Sequence, residues 1–216
     1  MEILNVIKAR SIWLFDINEL NPSGRSLGPE FLFWLKDHYN FSKAPSSSNE
    51  VDDTKALAFL GGRFEPSTED SVDVDFKLYN DGVIADTRRS TKVSDQFIEN
   101  LLNTAAKLYK LNYGPDIVRR KLYLSEINLK SDRHLETTYA GFKEFGDNLF
   151  DVLGRKFEFS SVAWWTDPET PNRNAQFRFE RKLGAAFSEQ RYYSSAPMQT
   201  EDHLKLLVEL EKILVG

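Results

Sequence analysis

Between residues 72 and 79 every second position is apolar (Val72, Val74, Phe76, Leu78) with polar side chains between, the period of a strand with one buried face. Residues 83–88 repeat the theme. Asn80-Asp81-Gly82 joins the two runs, and Asp-Gly between alternating segments predicts a hairpin on a type I′ turn, which needs positive φ at both central residues. Residues 11–17 and 56–64 also read as strands. Pro29, suited to a first helical position, opens a helical spacing of Phe31, Trp34, Leu35 and His38. Residues 43–55 are polar and turn-rich, the composition of an exposed connection. Ser94 is placed to cap a helix over 95–110 with Phe97, Ile98, Leu101, Leu102, Ala105, Leu108 and Tyr109 on one face.

From residue 118 the order returns. A long strand over 118–130 precedes a helix over 135–153 carrying Phe142, Phe145, Leu149, Phe150 and Leu153. Strands follow at 157–165, 175–182 and 190–195. Thr200 then caps a last helix with Glu201 and Asp202 at its positive end. Both 11–110 and 118–215 therefore read β-α-β-β-β-α, which predicts an internal duplication with halves at 1–112 and 113–216 sharing one sheet. The fold class is α+β, a mostly antiparallel sheet with helices on one face. A strand, a helix, three strands and a helix, given twice, resembles the element order of the TATA-box-binding-protein fold. The resemblance is one of topology, and no sequence motif carries it.

Composition removes several chemistries. Without cysteine, the chain has no disulfide, thiolate metal site or cysteine nucleophile. A net charge of -5 gives no overall basic field toward nucleic acid or anionic lipid. Charges interrupt the apolar stretches of the first seventeen residues, and no apolar run reaches the roughly 18 residues of a membrane span, so a cytoplasmic location without membrane contact is expected. Gly61-Gly62 stands apart from any phosphate-loop pattern, and no cofactor is expected.

Candidate chemistry is sparse. His38, His134 and His203 have no metal-binding spacing and read as half-exposed helix residues. Gly24-Arg25-Ser26-Leu27-Gly28 matches G-x-S-x-G, but Asn18 to Ser23 separate its serine from the preceding strand, where a nucleophile elbow needs it directly after. Asp73 and Asp75, with Glu69 and Asp70 nearby, have the oxygen donors a hard cation takes; exposed acids on an amphipathic strand give the same pattern. Asp167 followed by Glu180-Arg181-Lys182 resembles the D…(D/E)-x-K signature of a nuclease superfamily. That resemblance implies Asp167 and Glu180 as Mg²⁺ ligands and Lys182 as the residue that positions water.

Arginine interleaves with aromatic residues in the same region. Arg178 lies between Phe177 and Phe179; Arg191, Tyr192 and Tyr193 follow, and Arg119, Arg120 and Lys121 open the long strand. Exposed aromatics beside guanidinium groups stack single-stranded nucleic acid, but alternation turns Phe177 and Phe179 toward the core. Residues 111–216 moreover carry 15 basic against 16 acidic side chains, which disfavours nucleic acid as the partner. Trp164 and Trp165 are adjacent, so in an extended strand one faces the core and the other the outer surface. Large aromatics outside a core anchor protein interfaces. These features favour a non-catalytic module, an adaptor, inhibitor or neutralising partner, that binds another protein through Trp164, Trp165, Arg178, Arg119 and Arg120. The acidic charge suits a basic partner.

Overall fold

The structure, a computed structural model, describes residues 1–22, 28–45, 56–66, 70–132, 135, 140–167, 169 and 176–215. Among these are eight strands, β1 (Glu2–Leu14), β2 (Leu57–Phe64), β3 (Val72–Tyr79), β4 (Gly82–Thr87), β5 (Arg120–Lys130), β6 (Ser161–Trp165), β7 (Gln176–Arg181) and β8 (Arg191–Ala196). Five α-helices accompany them: α1 (Ile17–Leu20), α2 (Pro29–His38), α3 (Thr91–Tyr109), α4 (Ala140–Leu153) and α5 (Thr200–Val215). The fold is α+β and the strands pair antiparallel. Two compact units form, one of residues 8–124 and one of 125–216 with 1–7.

In the 8–124 unit the strand order is β2-β3-β4-β1. Alternation along β3 and β4 turns Val72, Val74, Phe76, Val83 and Ala85 inward, and α2 and α3 cover them with Phe31, Leu32, Leu35, Phe97, Ile98 and Leu101. Phe97 lies at the centre, its ring within 4.9–6.5 Å of Tyr39, Phe41, Phe64 and Phe76. Ser90, not Ser94, is the N-cap of α3: its hydroxyl accepts from Val93 N at 3.3 Å. Ser94 is buried one turn further on and donates to the Ala9 carbonyl at 2.7 Å, so its hydroxyl anchors helix to strand.

The β3–β4 hairpin forms with a different turn from the one its sequence predicts. Tyr79 pairs with Gly82, leaving Asn80 and Asp81 as the loop, and neither has positive φ. Gly82 is instead the first residue of β4. A Cβ there would lie 2.2 Å from the Trp13 carbonyl oxygen, so glycine is required by the approach of β1.

In the 125–216 unit the order is β5-β8-β7-β6. Ile127, Leu129, Phe179 and Tyr192 face α5, which supplies Leu207, Leu210 and Leu214. Among the described residues this core holds eight buried apolar side chains, against 23 in the other unit, and many apolar side chains of the 125–216 unit are exposed. No helix among the described residues is long and apolar enough to cross a membrane.

Candidate functional site

α4 has the apolar spacing of a core helix, yet none of its residues is buried. Phe145 is 63% exposed and Val152 81%, with Phe150 and Leu153 also exposed. One side of the helix is held by the chain that follows it. Phe142 stacks on Phe159 with ring centroids 4.1 Å apart, and Gly146 lets the helix approach so closely that a Cβ would sit 3.2 Å from the Phe157 carbonyl oxygen. Residues 156–158 are pinned in turn. The nearly buried Glu158 carboxylate pairs with Arg181 of β7 and accepts from Lys156 Nζ at 2.6 Å, while the Arg181 guanidinium lies over the rings of Phe187 and Tyr192. A charge pair so far from water holds its segment firmly, since loss of one partner strands the other.

That segment leads into β6. The register sets Val162 opposite Phe179 and Trp164 opposite Phe177, so these four share the core-facing side; Ser161, Ala163 and Trp165 share the other. The two tryptophans take opposite faces as expected, but neither is in the core. Trp164 is 53% exposed and Trp165 69%, on a strand that is the last of its row. Trp164 meets Phe177 edge-on at 5.5 Å, and Phe177 meets His203 of α5 at 5.7 Å.

His203 is completely buried, in contrast to the half-exposed position expected for it. The Ser194 hydroxyl donates to the Arg178 carbonyl at 2.8 Å, so His203 Nε2–H donates to Ser194 Oγ at 2.8 Å, and the unprotonated Nδ1 has no partner among the described residues. Burial lowers its pKa from 6.5 to about 4. A buried neutral imidazole with both neighbours apolar or hydrogen-bonded is a structural group. His38 is exposed and stacks on Trp34; His134 and the serine of the G-x-S-x-G match lie outside the described residues.

The other candidates are distributed as follows. Arg178 lies on the outer face opposite Ala163, 3.7 Å from Glu180 and 3.3 Å from Gln176 Oε1. Tyr192, which the sequence groups with exposed aromatics, is buried and stacked on Phe179; Tyr193 takes the outer face. Arg119 and Arg120 belong to the 8–124 unit, where Arg119 pairs with Glu19 at 2.5 Å and both line a cavity of about 550 Å³ with Asp16 and Asp81. Acids beside each arginine offset the field that a phosphate backbone would need.

The register also separates the nuclease-like residues. Glu180 is opposite Ser161 at the start of β6, whereas Asp167 lies beyond Trp165 at its end, about 13 Å or more along the strand. Asp167 Oδ1 accepts from Glu169 N at 2.8 Å, closing a local turn, and Lys182 Nζ lies 5.9 Å from the Tyr193 ring. Asp73 and Asp75 are exposed, and Asp75 accepts from Gly61 N at 2.7 Å; Glu69 lies outside the described residues. Among the described residues no three His, Asp or Glu side chains are grouped to hold a metal ion.

What the sequence pattern missed is the openness of α4. Its spacing is that of a buried helix, and only the burial of its surroundings distinguishes the two cases. No protein-family model matches the chain, and no curated protein sequence matches it.

Proposed function

We propose that the chain is a protein-binding module without catalytic activity and that it binds through α4 and the β6 end of the 125–216 unit. One observation carries this reading: an amphipathic helix with no buried residue packs on the segment that leads into β6, a strand ending in two exposed tryptophans. Exposed apolar side chains in such number mark interaction sites, and aromatic side chains dominate binding energy where they are anchored. Along α4 the charges are Lys143 against Glu144, Asp147 and Asp151, with Lys143 held by Asp147 at 2.7 Å. The rim of the apolar face is thus acidic, like the chain as a whole, which favours encounter with a basic partner.

The test is purification at low salt from the native cells, with mass spectrometry of what accompanies the protein and hydrogen exchange on the complex. A stoichiometric protein partner is expected, with slowed exchange over residues 140–165, and its loss is expected on Phe145→Ser or Trp165→Ser. Co-purifying nucleic acid in place of protein would overturn the reading.

A further inference from the structure

The last strand of each row, β2 in the 8–124 unit and β6 in the 125–216 unit, is finished differently. Along β2 the chain covers its own edge. Lys43 and Leu60 exchange backbone hydrogen bonds of 3.2 and 2.9 Å, and Arg63 N donates to the Tyr39 carbonyl at 2.6 Å. The register is broken between Phe59 and Gly62, where Gly61 takes a left-handed φ of 63°. A bulge and a covering segment are the usual protections of a sheet edge.

β6 has neither. Arg181 N donates to the Ser160 carbonyl, which fixes the phase of the ladder: residues 160, 162 and 164 direct their backbone groups to β7, and 161, 163 and 165 direct theirs outward. Among the described residues nothing bonds to those outward groups. The strand, Ser-Val-Ala-Trp-Trp, contains no charge, no proline and no bulge.

We propose that this edge pairs with β6 of a second copy of the chain, antiparallel, with the two-fold axis at Ala163. The proposal rests on the reading of this surface as protein-binding: a second copy takes the strand edge, and the acid-rimmed face of α4 is left for the basic partner. Outward backbone must face outward backbone, and of the registers that satisfy this only the one centred on Ala163 engages all five residues, through about six hydrogen bonds. In that register Ser161 lies opposite the second copy's Trp165, and Val162 opposite its Trp164. Each indole therefore meets a smaller side chain on both faces, and the Trp–Val contact is a favoured aromatic–β-branched cross-strand pair. With no charged residue in the strand, the symmetric arrangement places no like charges opposite each other. A two-fold pairing also closes on itself, and the covered β2 edge offers no site for a third copy. Two tryptophans a side make a small interface, so the dimer is expected to depend on concentration.

The test uses the full chain in sedimentation equilibrium across about two decades of concentration. The mass is expected to rise from 24.9 kDa toward twice that value, and Trp165→Lys, whose side chain is exposed in the monomer, is expected to remain monomeric. Because the chain lacks cysteine, two further variants report the register. Ala163→Cys brings two thiols together on the axis at a Cα separation near 5.5 Å, within disulfide reach, while Ser161→Cys leaves them about 13 Å or more apart. Oxidation is expected to cross-link Ala163→Cys at least about tenfold faster at equal concentration. A monomer at every concentration, or equal rates for the two thiols, would overturn the pairing. The protein-binding reading would survive that result if the monomer still captured a different protein in a Trp165-dependent manner, and would fall with it if it captured none.

Discussion

α2 and α4 occupy the same place in the order of elements, each the first long helix after a long strand, and their apolar spacing is similar. α2 places Phe31, Leu32 and Leu35 in a core of 23 apolar side chains; α4 places none of its own in a core of eight. Amphipathicity gives a helix one face that avoids water, but whether the chain itself provides the cover depends on what is packed across from it. Around α2 it does. Around α4, Phe159 and the backbone at Phe157 pack against one side, and Phe145, Phe150, Val152 and Leu153 stay exposed.

The largest test of this contrast is a pair of phenylalanines. Phe97→Ala removes a ring with no exposure and four aromatic neighbours, and is expected to cost about 3–5 kcal/mol in urea unfolding. Phe145→Ala should cost less than a third as much, since its ring is mostly in water already. Equal losses would show that α4 is covered in the free chain and break the comparison.

Acid should separate the units next. The folded pKa of His203, about 4, lies below the roughly 6.5 of an unfolded histidine, so between those values the unfolded chain binds more protons. The contribution is complete above pH 6.5 and is lost as the pH falls toward 4, by roughly 3 kcal/mol. His203→Gln should flatten that part of the stability curve. Hydrogen exchange at pH 4.5 should show residues 125–215 opening before the core of 8–124; the reverse order would remove His203 as the cause.

Gly82→Ala tests the better-packed unit alone. Its new methyl would press on the Trp13 carbonyl, a backbone group that β1 holds in place, with an expected cost of about 1–3 kcal/mol and a lower Tm. Exchange should rise along β1, β3 and β4 and not along β6 to β8.

Much of this architecture was legible in the sequence where spacing and environment agree. Alternation located β3 and β4, and the helical period located α3 and α5, because each buries the face its pattern marks. The exceptions arise where a contact distant in sequence decides. Ser94 has the chemistry of a cap but is claimed by the Ala9 carbonyl, so Ser90 caps α3. The hairpin glycine answers to β1 and not to its own turn. Adjacency places Trp164 and Trp165 on opposite faces and predicts that one of them is in the core, which neither is. Both are exposed on a strand that is the last of its row, a position no local pattern encodes. Glu180 and Asp167, close in a motif, are kept apart by a register that only the paired strands define.

The smallest expected effect separates surface kept for folding from surface kept for binding. Val152 is 81% exposed on α4, and Val152→Lys removes a β-branched apolar side chain from water while adding a good helix former. If α4 is open in the free chain, stability should change by no more than about 0.5 kcal/mol and solubility should rise. The same charge placed on the apolar face should weaken any complex formed there, because an unpaired ammonium would be carried out of water. Unchanged stability with lost binding would assign this face to a partner. A loss of stability comparable to that of Phe97→Ala would mean that the helix is packed within its own fold, and the difference between α2 and α4 would disappear.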